Sequence, residues 1–306
     1  MILNTKAAPP RGKWHSWLRK NAFTVGTLVP AMTYVGIFFF VIIFYVIRLS
    51  FTTFSYYKPV NTMTLENYAQ VLHSTEVWEA LWRTFIFVLI TTPLQLITGL
   101  AMAMLIHRSF KGRGIVRSIF LLPLAIPAMV TTSTLLIMFS DGGHMVSLFR
   151  GEYVDWLNIL PQGFSFIGSG FWSMFLVVFG KVWRDTPISM LILLAGLQTI
   201  GKDQYEAATT MGSGSLKNFF YITAPLLMPS ISSVLLLRSI EAWKEFIFAL
   251  TLAPKNPLLG VLVDKYYIQM MNPGMAAIVG ILLVLCILTF ATVIRLVLNA
   301  ANKYLV

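Results

Sequence analysis

Charged residues are scarce in this chain, and their scarcity excludes an ordinary soluble fold. Asp, Glu, Lys and Arg make up 11% of its 306 residues, whereas soluble domains contain about 25%. The single cysteine, Cys286, excludes an internal disulfide and any zinc or redox site that needs a second thiol. Acidic residues number 12 against 23 basic ones. The bases are scattered in short segments rather than clustered in one patch, which argues against nucleic-acid binding.

Long apolar runs are what the chain has instead, since 57% of its residues are hydrophobic. A membrane-spanning helix needs roughly 20 predominantly apolar residues. The sequence therefore predicts an all-α integral membrane protein with six transmembrane helices, over residues 24–47, 84–106, 119–139, 171–197, 219–250 and 276–298. We interpret the first run as a retained span, because it is longer than the apolar core of a signal peptide. The fifth is interpreted as one long helix with a polar outer half.

Basic residues lie in alternate connecting segments, and this pattern predicts an orientation. Cytoplasmic loops of membrane proteins are enriched in Lys and Arg. Bases occur in the N-terminal segment 1–23, after the second run, after the fourth run and at the C-terminal end, whereas the intervening segments contain acids. We therefore expect both termini on the cytoplasmic side, a basic N-terminal tail over 1–23 and one membrane domain over 24–306.

The segment 198–225, between the fourth and fifth runs, has the pattern of a short helical hairpin. Asp203 could cap a first helix, and Gly212 and Gly214 permit the left-handed turn that ends it. Ser215 could cap a second helix. The predicted orientation places this hairpin on the cytoplasmic face. An ordinary surface hairpin between two spans is the alternative interpretation.

The hairpin spacing resembles the EAA loop of binding-protein-dependent ABC importer permeases. That loop reads Glu-Ala-Ala, three residues, Gly, nine residues, Ile, one residue and Leu-Pro, and the positions here that match it are Glu206, Ala207, Ala208, Gly212, Ile222 and Pro225. Ala224 replaces the usual Leu, and Met211 replaces the Asp that often precedes the Gly. Residues 113–127 and 182–198 also look like parts of the third and fourth spans of sugar-type permeases.

The resemblance implies a type I ABC importer permease-like fold and an ATP-driven importer of a sugar or sugar-like solute. It implies a second permease subunit, for which we favour a different chain, two ATPase subunits and an extracytoplasmic binding protein, assembled in a prokaryotic cell (inner) membrane. In that family the hairpin is the element that couples to the ATPase, and its glutamate, here Glu206, would pair with a basic residue there.

No nucleotide site of its own is evident in the chain. A P-loop needs Gly, four residues and Gly-Lys-Ser/Thr, so that backbone amides cradle the phosphates. The glycines at 212 and 214 lack the lysine that would follow. We therefore expect a non-catalytic permease subunit with no catalytic residue, metal site or cofactor, and with ATP and Mg on the partner ATPases.

Ionisable residues inside the predicted spans are costly in a bilayer and usually face a cavity or a partner. The fourth span carries Lys181, Arg184 and Asp185, and the fifth carries a stripe of Arg238, Glu241 and Glu245, with Lys244 well off it. In maltose-transporter-type permeases the sugar-holding positions match Arg184, Asp185, Ile188, Arg238, Ala242 and Glu245 here. These residues and Glu241 are the candidate substrate pathway.

The nature of the solute stays open from the sequence. The charges depart from the mostly neutral groups of the maltose-type site and would suit a different sugar, an acidic sugar or a phosphorylated polyol. Alternatively, they neutralise one another as structural ion pairs. The hairpin does not separate sugars from glycerol phosphate or polyamines. The acids could also relay protons in an ion-coupled secondary transporter, although the internal repeats common in such transporters are not evident.

Overall fold

Helices account for almost all of the computed structural model, which describes residues 22–61, 63–161 and 163–305. Most of the predicted basic tail, 1–23, lies outside the described residues. The helices are α1 (Ala22–Ser50), α2 (Glu66–His73), α3 (Thr75–His107), α4 (Arg113–Ala125), α5 (Ala128–Phe139), α6 (His144–Phe149), α7 (Gly170–Gln198), α8 (Lys202–Thr210), α9 (Ser215–Asn218), α10 (Ala224–Trp243), α11 (Ile247–Leu252), α12 (Leu259–Asp264) and α13 (Pro273–Leu305).

Short elements join these helices. Strands β1 (Thr53–Ser55) and β2 (Lys58–Asn61) pair antiparallel in the connection between α1 and α2. A 3₁₀ turn covers Asp155–Leu157, and π-helical turns cover Phe219–Thr223 and Lys265–Gln269. The first π-helical turn joins α9 to α10, so the segment Ser215–Trp243 runs as one continuous helical stretch.

Four helical segments are long and apolar enough to cross a membrane: Gly26–Ser50, Thr75–His107, Ser215–Trp243 and Pro273–Ala300. The bent pair formed by α4 and the helices after it is a fifth candidate. Helix α7 has 29 residues, enough to span, but three charged side chains interrupt its apolar stretch. Among the described residues, length and composition thus mark four or five candidate spans rather than the predicted six.

The predicted third span, 119–139, is wrong as a single helix. Helix α4 ends at Ala125, Ile126 has an extended backbone (φ −85°, ψ 128°), and α5 starts after Pro127. The chain bends by 88° at this break. Pro127 causes it, because proline lacks the amide hydrogen a helix needs and disfavours the helical conformation of the residue before it.

The predicted fifth span, 219–250, is wrong at its outer end, since the helix does not continue through the charged residues. Helix α10 ends at Trp243, and Phe246 leaves the helical conformation with φ −134°. A new short helix, α11, starts at Ile247. The polar outer half is therefore a helix break followed by a reoriented helix.

The centre of the bundle is the packing of α3 against α7, the most extensive helix pair among the described elements. Glycine makes the close approach feasible: a Cβ on Gly99 would lie 2.7 Å from the Cβ of Ser189. Gly180 similarly leaves room for Phe248, at 2.7 Å from a Cβ. Small residues at helix contacts are typical of membrane bundles. Helix α10 packs on both α3 and α7, whereas α1 lies at the outside against α13.

Candidate functional site: a charged cavity and an exposed hairpin

A buried lysine on α7 joins two carboxylates from different parts of the fold. Lys181 Nζ lies 2.9 Å from Asp185 Oδ2, one turn along the same helix, and 2.6 Å from Glu245 Oε2, at the break after α10. The three side chains are 10%, 3% and 5% exposed. Removing one partner of an ion pair this deeply buried strongly destabilises the folded protein, because the other partner is left as an uncompensated charge.

Every carboxylate oxygen in this trio already accepts a bond. Arg184 Nη1 lies 2.7 Å from Asp185 Oδ1. The backbone N–H groups of Phe246 and Phe248 both donate to Glu245 Oε1, at 3.0 Å each. Glu245 therefore caps the start of α11 with one oxygen while it binds Lys181 with the other. The capped amides and the contact with Lys181 together stabilise the start of a new helix at this point.

These ion pairs and hydrogen bonds, called here the charge network, also reach the helix break between α4 and α5. Arg184 Nε donates to the carbonyl oxygen of Ile126, the extended residue between α4 and α5, at 3.3 Å. Helix α12 closes on the network from another side: a Cβ on Gly260 would lie 2.6 Å from the carbonyl oxygen of Glu245. Helix α7 thus holds both broken segments through side-chain contacts from two adjacent turns.

A cavity of about 320 Å³ opens beside the network. Its charged lining residues are Lys181, Arg184, Glu241, Lys244 and Glu245, and its remaining walls are Ala128 of α5 and the segment 246–248. A compact space with both charge signs on its wall suits a polar solute with several hydrogen-bonding groups.

The predicted pathway residues divide into two groups. Arg184, Glu241 and Glu245 line the cavity. Asp185 is not part of the wall, but its ion-pair partners Lys181 and Arg184 are. Arg238, 1% exposed, is not part of the wall but supports it, since its Nη2 lies 3.1 Å from Glu241 Oε2. Ile188 and Ala242 are also absent from the wall.

Two lining residues were outside the predicted set. The sequence could have indicated Lys181, because it stands four residues before Asp185, which is the spacing of an ion pair on one helix face. Lys244 was placed off the polar stripe on the assumption of a continuous helix, and that placement is wrong. Because α10 ends at Trp243, Lys244 lies on the cavity wall together with Glu241 and Glu245.

The hairpin forms as a helix, a glycine turn and a second helical arm. Gly212 has φ 80° and makes the predicted left-handed turn, whereas Gly214 has φ −82° and does not. The predicted caps are also different: Gly201 and Gly214 occupy the capping positions, and neither Asp203 nor Ser215 makes a side-chain capping bond in this described segment.

The first arm of the hairpin presents its motif residues outward. Glu206 and Ala207 are exposed on α8, and Ala208 is half-buried. The second arm holds Ile222 and Pro225, both half-buried. Tyr205 and Thr223 join the two arms through a 3.0 Å hydrogen bond between their hydroxyls.

The hairpin and the cavity lie at opposite ends of the same helix. From Ala224, next to the hairpin, to Glu241 on the cavity wall, α10 rises about 25 Å at about 1.5 Å per residue. A rigid helix of that length can carry a displacement of the hairpin to the cavity.

Residues 95–303 match the sequence profile of the family described as the binding-protein-dependent transport system inner membrane component. The chain belongs to this family. The family predicted from the hairpin spacing is therefore confirmed. As a member, the chain is a permease subunit of an ABC importer and an inner membrane component, and ATP hydrolysis belongs to a partner subunit.

Relatives with named transport functions cover most of the chain. The trehalose/maltose transport system permease protein MalF of Thermococcus litoralis is 32% identical over 234 residues, which are 75% of this chain and 77% of that protein. The sulfoquinovosyl glycerol transport system permease protein SmoG of Agrobacterium fabrum is 31% identical over 246 residues, 76% of this chain and 75% of that protein.

A solved structure shares the fold. It is a chain of a bacterial alginate ABC transporter in complex with an alginate pentasaccharide-bound periplasmic protein, with a TM-score of 0.77 and 16% sequence identity. The match covers 95% of this chain and 98% of that chain. The predicted type I ABC importer permease-like fold is thereby confirmed at the level of overall architecture.

Proposed function

We propose that this permease subunit translocates a sugar or sugar-like solute, delivered by an extracytoplasmic binding protein and driven by ATP hydrolysis on partner ATPases. The observation that carries the proposal is the placement of the exposed hairpin and the charged cavity at the two ends of α10. The sugar class is supported by the named solutes of the relatives, trehalose/maltose and sulfoquinovosyl glycerol.

In this proposal the hairpin transmits the state of the ATPase to the cavity. Glu206 is exposed and free to pair with a base of the ATPase, and Ala207 and Ala208 allow a close approach. Gly212 sets the turn, while Ile222 and Pro225 seat the second arm at the start of α10. Displacement of that arm moves the far end of α10, where Glu241 and Glu245 meet the charge network of α7.

The proposed topology has six membrane crossings, with both termini and the hairpin on the cytoplasmic side. Helix α7 supplies the crossing that composition alone does not mark. Its charges are compatible with a membrane interior because they are paired. Lys181 pairs with Asp185 and Glu245, and Arg184 pairs with Asp185. A basic tail over 1–23 and a permease domain over 24–306, with the coupling loop at 198–225, complete this arrangement.

The proposed assembly contains a second permease of different sequence, two ATPases that bind ATP and Mg, and the binding protein, in a prokaryotic cell (inner) membrane. Ion-coupled transport has no comparable support. A proton relay needs several acids that are free to change partners. Asp185 and Glu245 each use both oxygens in bonds within the protein, which leaves only Glu241 with a free carboxylate oxygen among these three acids.

The test is substitution of Glu206 in the assembled complex, with sugar uptake and ATP hydrolysis measured together. Glu206→Ala removes the exposed carboxylate without touching a buried contact, so we expect uptake to be lost while the complex still forms in the membrane. Glu152→Ala, which removes an exposed acid far from the hairpin in sequence, is the matched control. Wild-type uptake by Glu206→Ala would count against the hairpin as the coupling element.

A further inference from the structure

We propose that the cavity selects a sugar carrying one negative charge, and that Lys244 and Arg184 are the residues that make this selection. The inference rests on the proposed function of the chain as a sugar permease and adds the charge class of the solute. Only some of the polar atoms on the cavity wall are available for a ligand.

Most side-chain atoms of the charge network are not available to bind a solute. Lys181 Nζ already contacts two carboxylates, and both oxygens of Asp185 and of Glu245 already accept bonds. A solute that took any of these atoms would leave a buried charge without its partner. These three residues are therefore a fixed support for the cavity and not the groups that distinguish one solute from another.

Three side chains on the wall keep free polar atoms. Arg184 lines the cavity, is 23% exposed and uses Nη1 and Nε within the protein, so its Nη2 is not used by either of these bonds. Glu241 is 37% exposed and shares only Oε2 with Arg238. Lys244 is exposed and has no ion pair or hydrogen bond to any described residue.

The charges around the cavity do not cancel. The cluster contains four bases, Lys181, Arg184, Arg238 and Lys244, against three acids, Asp185, Glu241 and Glu245, a difference of 4 − 3 = +1. Each acid is engaged by one of the first three bases. The uncompensated charge is therefore that of Lys244, and it lies on the wall of the cavity.

The free atoms match the chemistry of an acidic sugar. The carboxylate oxygen of Glu241 that is not bound to Arg238 can accept hydrogen bonds from the hydroxyl groups of a sugar ring. The planar guanidinium of Arg184 and the point charge of Lys244 suit a carboxylate or a sulfonate. One such group on the solute would neutralise the excess charge, which a neutral sugar cannot do.

The test compares trehalose with its monouronate, in which one primary alcohol is oxidised to a carboxylate. Binding is measured by calorimetry to the purified complex of both permeases and the ATPases, without binding protein, so that only the permease sites discriminate. We expect the uronate to bind about fivefold more tightly than trehalose, the scale of one partly exposed ion pair. Lys244→Gln should remove this preference.

Lys255→Gln removes one exposed lysine outside the cavity and should keep the preference. Lys244→Glu should reverse it. Equal affinity of the two sugars in the wild type, or a preference that survives in Lys244→Gln, would overturn the charge selection but not the proposed function. Binding of neither sugar by the wild-type complex would overturn the charge selection, whereas sugar uptake that needs no ATPase would overturn the proposed function.

Discussion

Removal of the Lys181 ammonium is the sharpest perturbation of the charge network. Lys181→Met keeps an unbranched side chain but leaves Asp185 and Glu245 facing each other without the cation that lies 2.9 Å and 2.6 Å from them. Both carboxylates are at most 5% exposed. Loss of one partner from a buried ion pair costs about 3–5 kcal/mol, and we expect a loss of unfolding free energy in that range.

A second substitution tests whether the loss comes from the pair with Glu245. Glu245→Gln removes the negative charge but keeps a carbonyl oxygen that can accept the backbone N–H groups at the start of α11. In the Lys181→Met background this change removes an unpaired charge, so the double variant should be more stable than the sum of the single losses predicts. We expect a coupling free energy of about 1–3 kcal/mol.

The assay is denaturant titration of the purified protein in detergent, with Lys255→Met as the control for loss of an exposed lysine. The control should unfold like the wild type. If Lys181→Met also unfolds like the wild type, or if the two substitutions simply add, the contact between Lys181 and Glu245 does not hold the helix break to α7.

Two backbone predictions concern glycines. Gly260→Ala places a Cβ about 2.6 Å from the carbonyl oxygen at the break between α10 and α11, so it should lower the unfolding free energy by about 1–3 kcal/mol; an unchanged thermal midpoint would contradict this. Gly212→Ala forces a φ of 80° on a residue with a Cβ, at about 1–2 kcal/mol, and should reduce uptake by the assembled complex. Gly214→Ala, at φ −82° with open space around it, should not.

The sequence contained enough to place the long helices and the hairpin. The prediction for 171–197 agrees with α7 (Gly170–Gln198) to within a residue at each end, although three charged residues interrupt its apolar stretch. The run at 84–106 was predicted too short at its start, since α3 begins at Thr75 with a polar turn that hydropathy does not detect. The hairpin turn at Gly212 followed from glycine and from the family spacing.

The helix breaks were harder to foresee, for two different reasons. The break before Pro127 has a local cause that the sequence displays. The break after Trp243 has no cause that the local sequence displays. It depends on Glu245, whose carboxylate caps α11 and binds a lysine on a distant helix. Local ion pairs such as Lys181 with Asp185 were within reach of helical spacing, whereas the contact of Lys181 with Glu245 exists only after folding.

The most direct test of the account is sugar uptake into proteoliposomes that contain this chain, the second permease and the ATPases, with the binding protein outside. We expect uptake only when ATP is inside, on the side of the hairpin, and when loaded binding protein is present. Uptake that continues without the ATPases and follows an imposed ion gradient would contradict it.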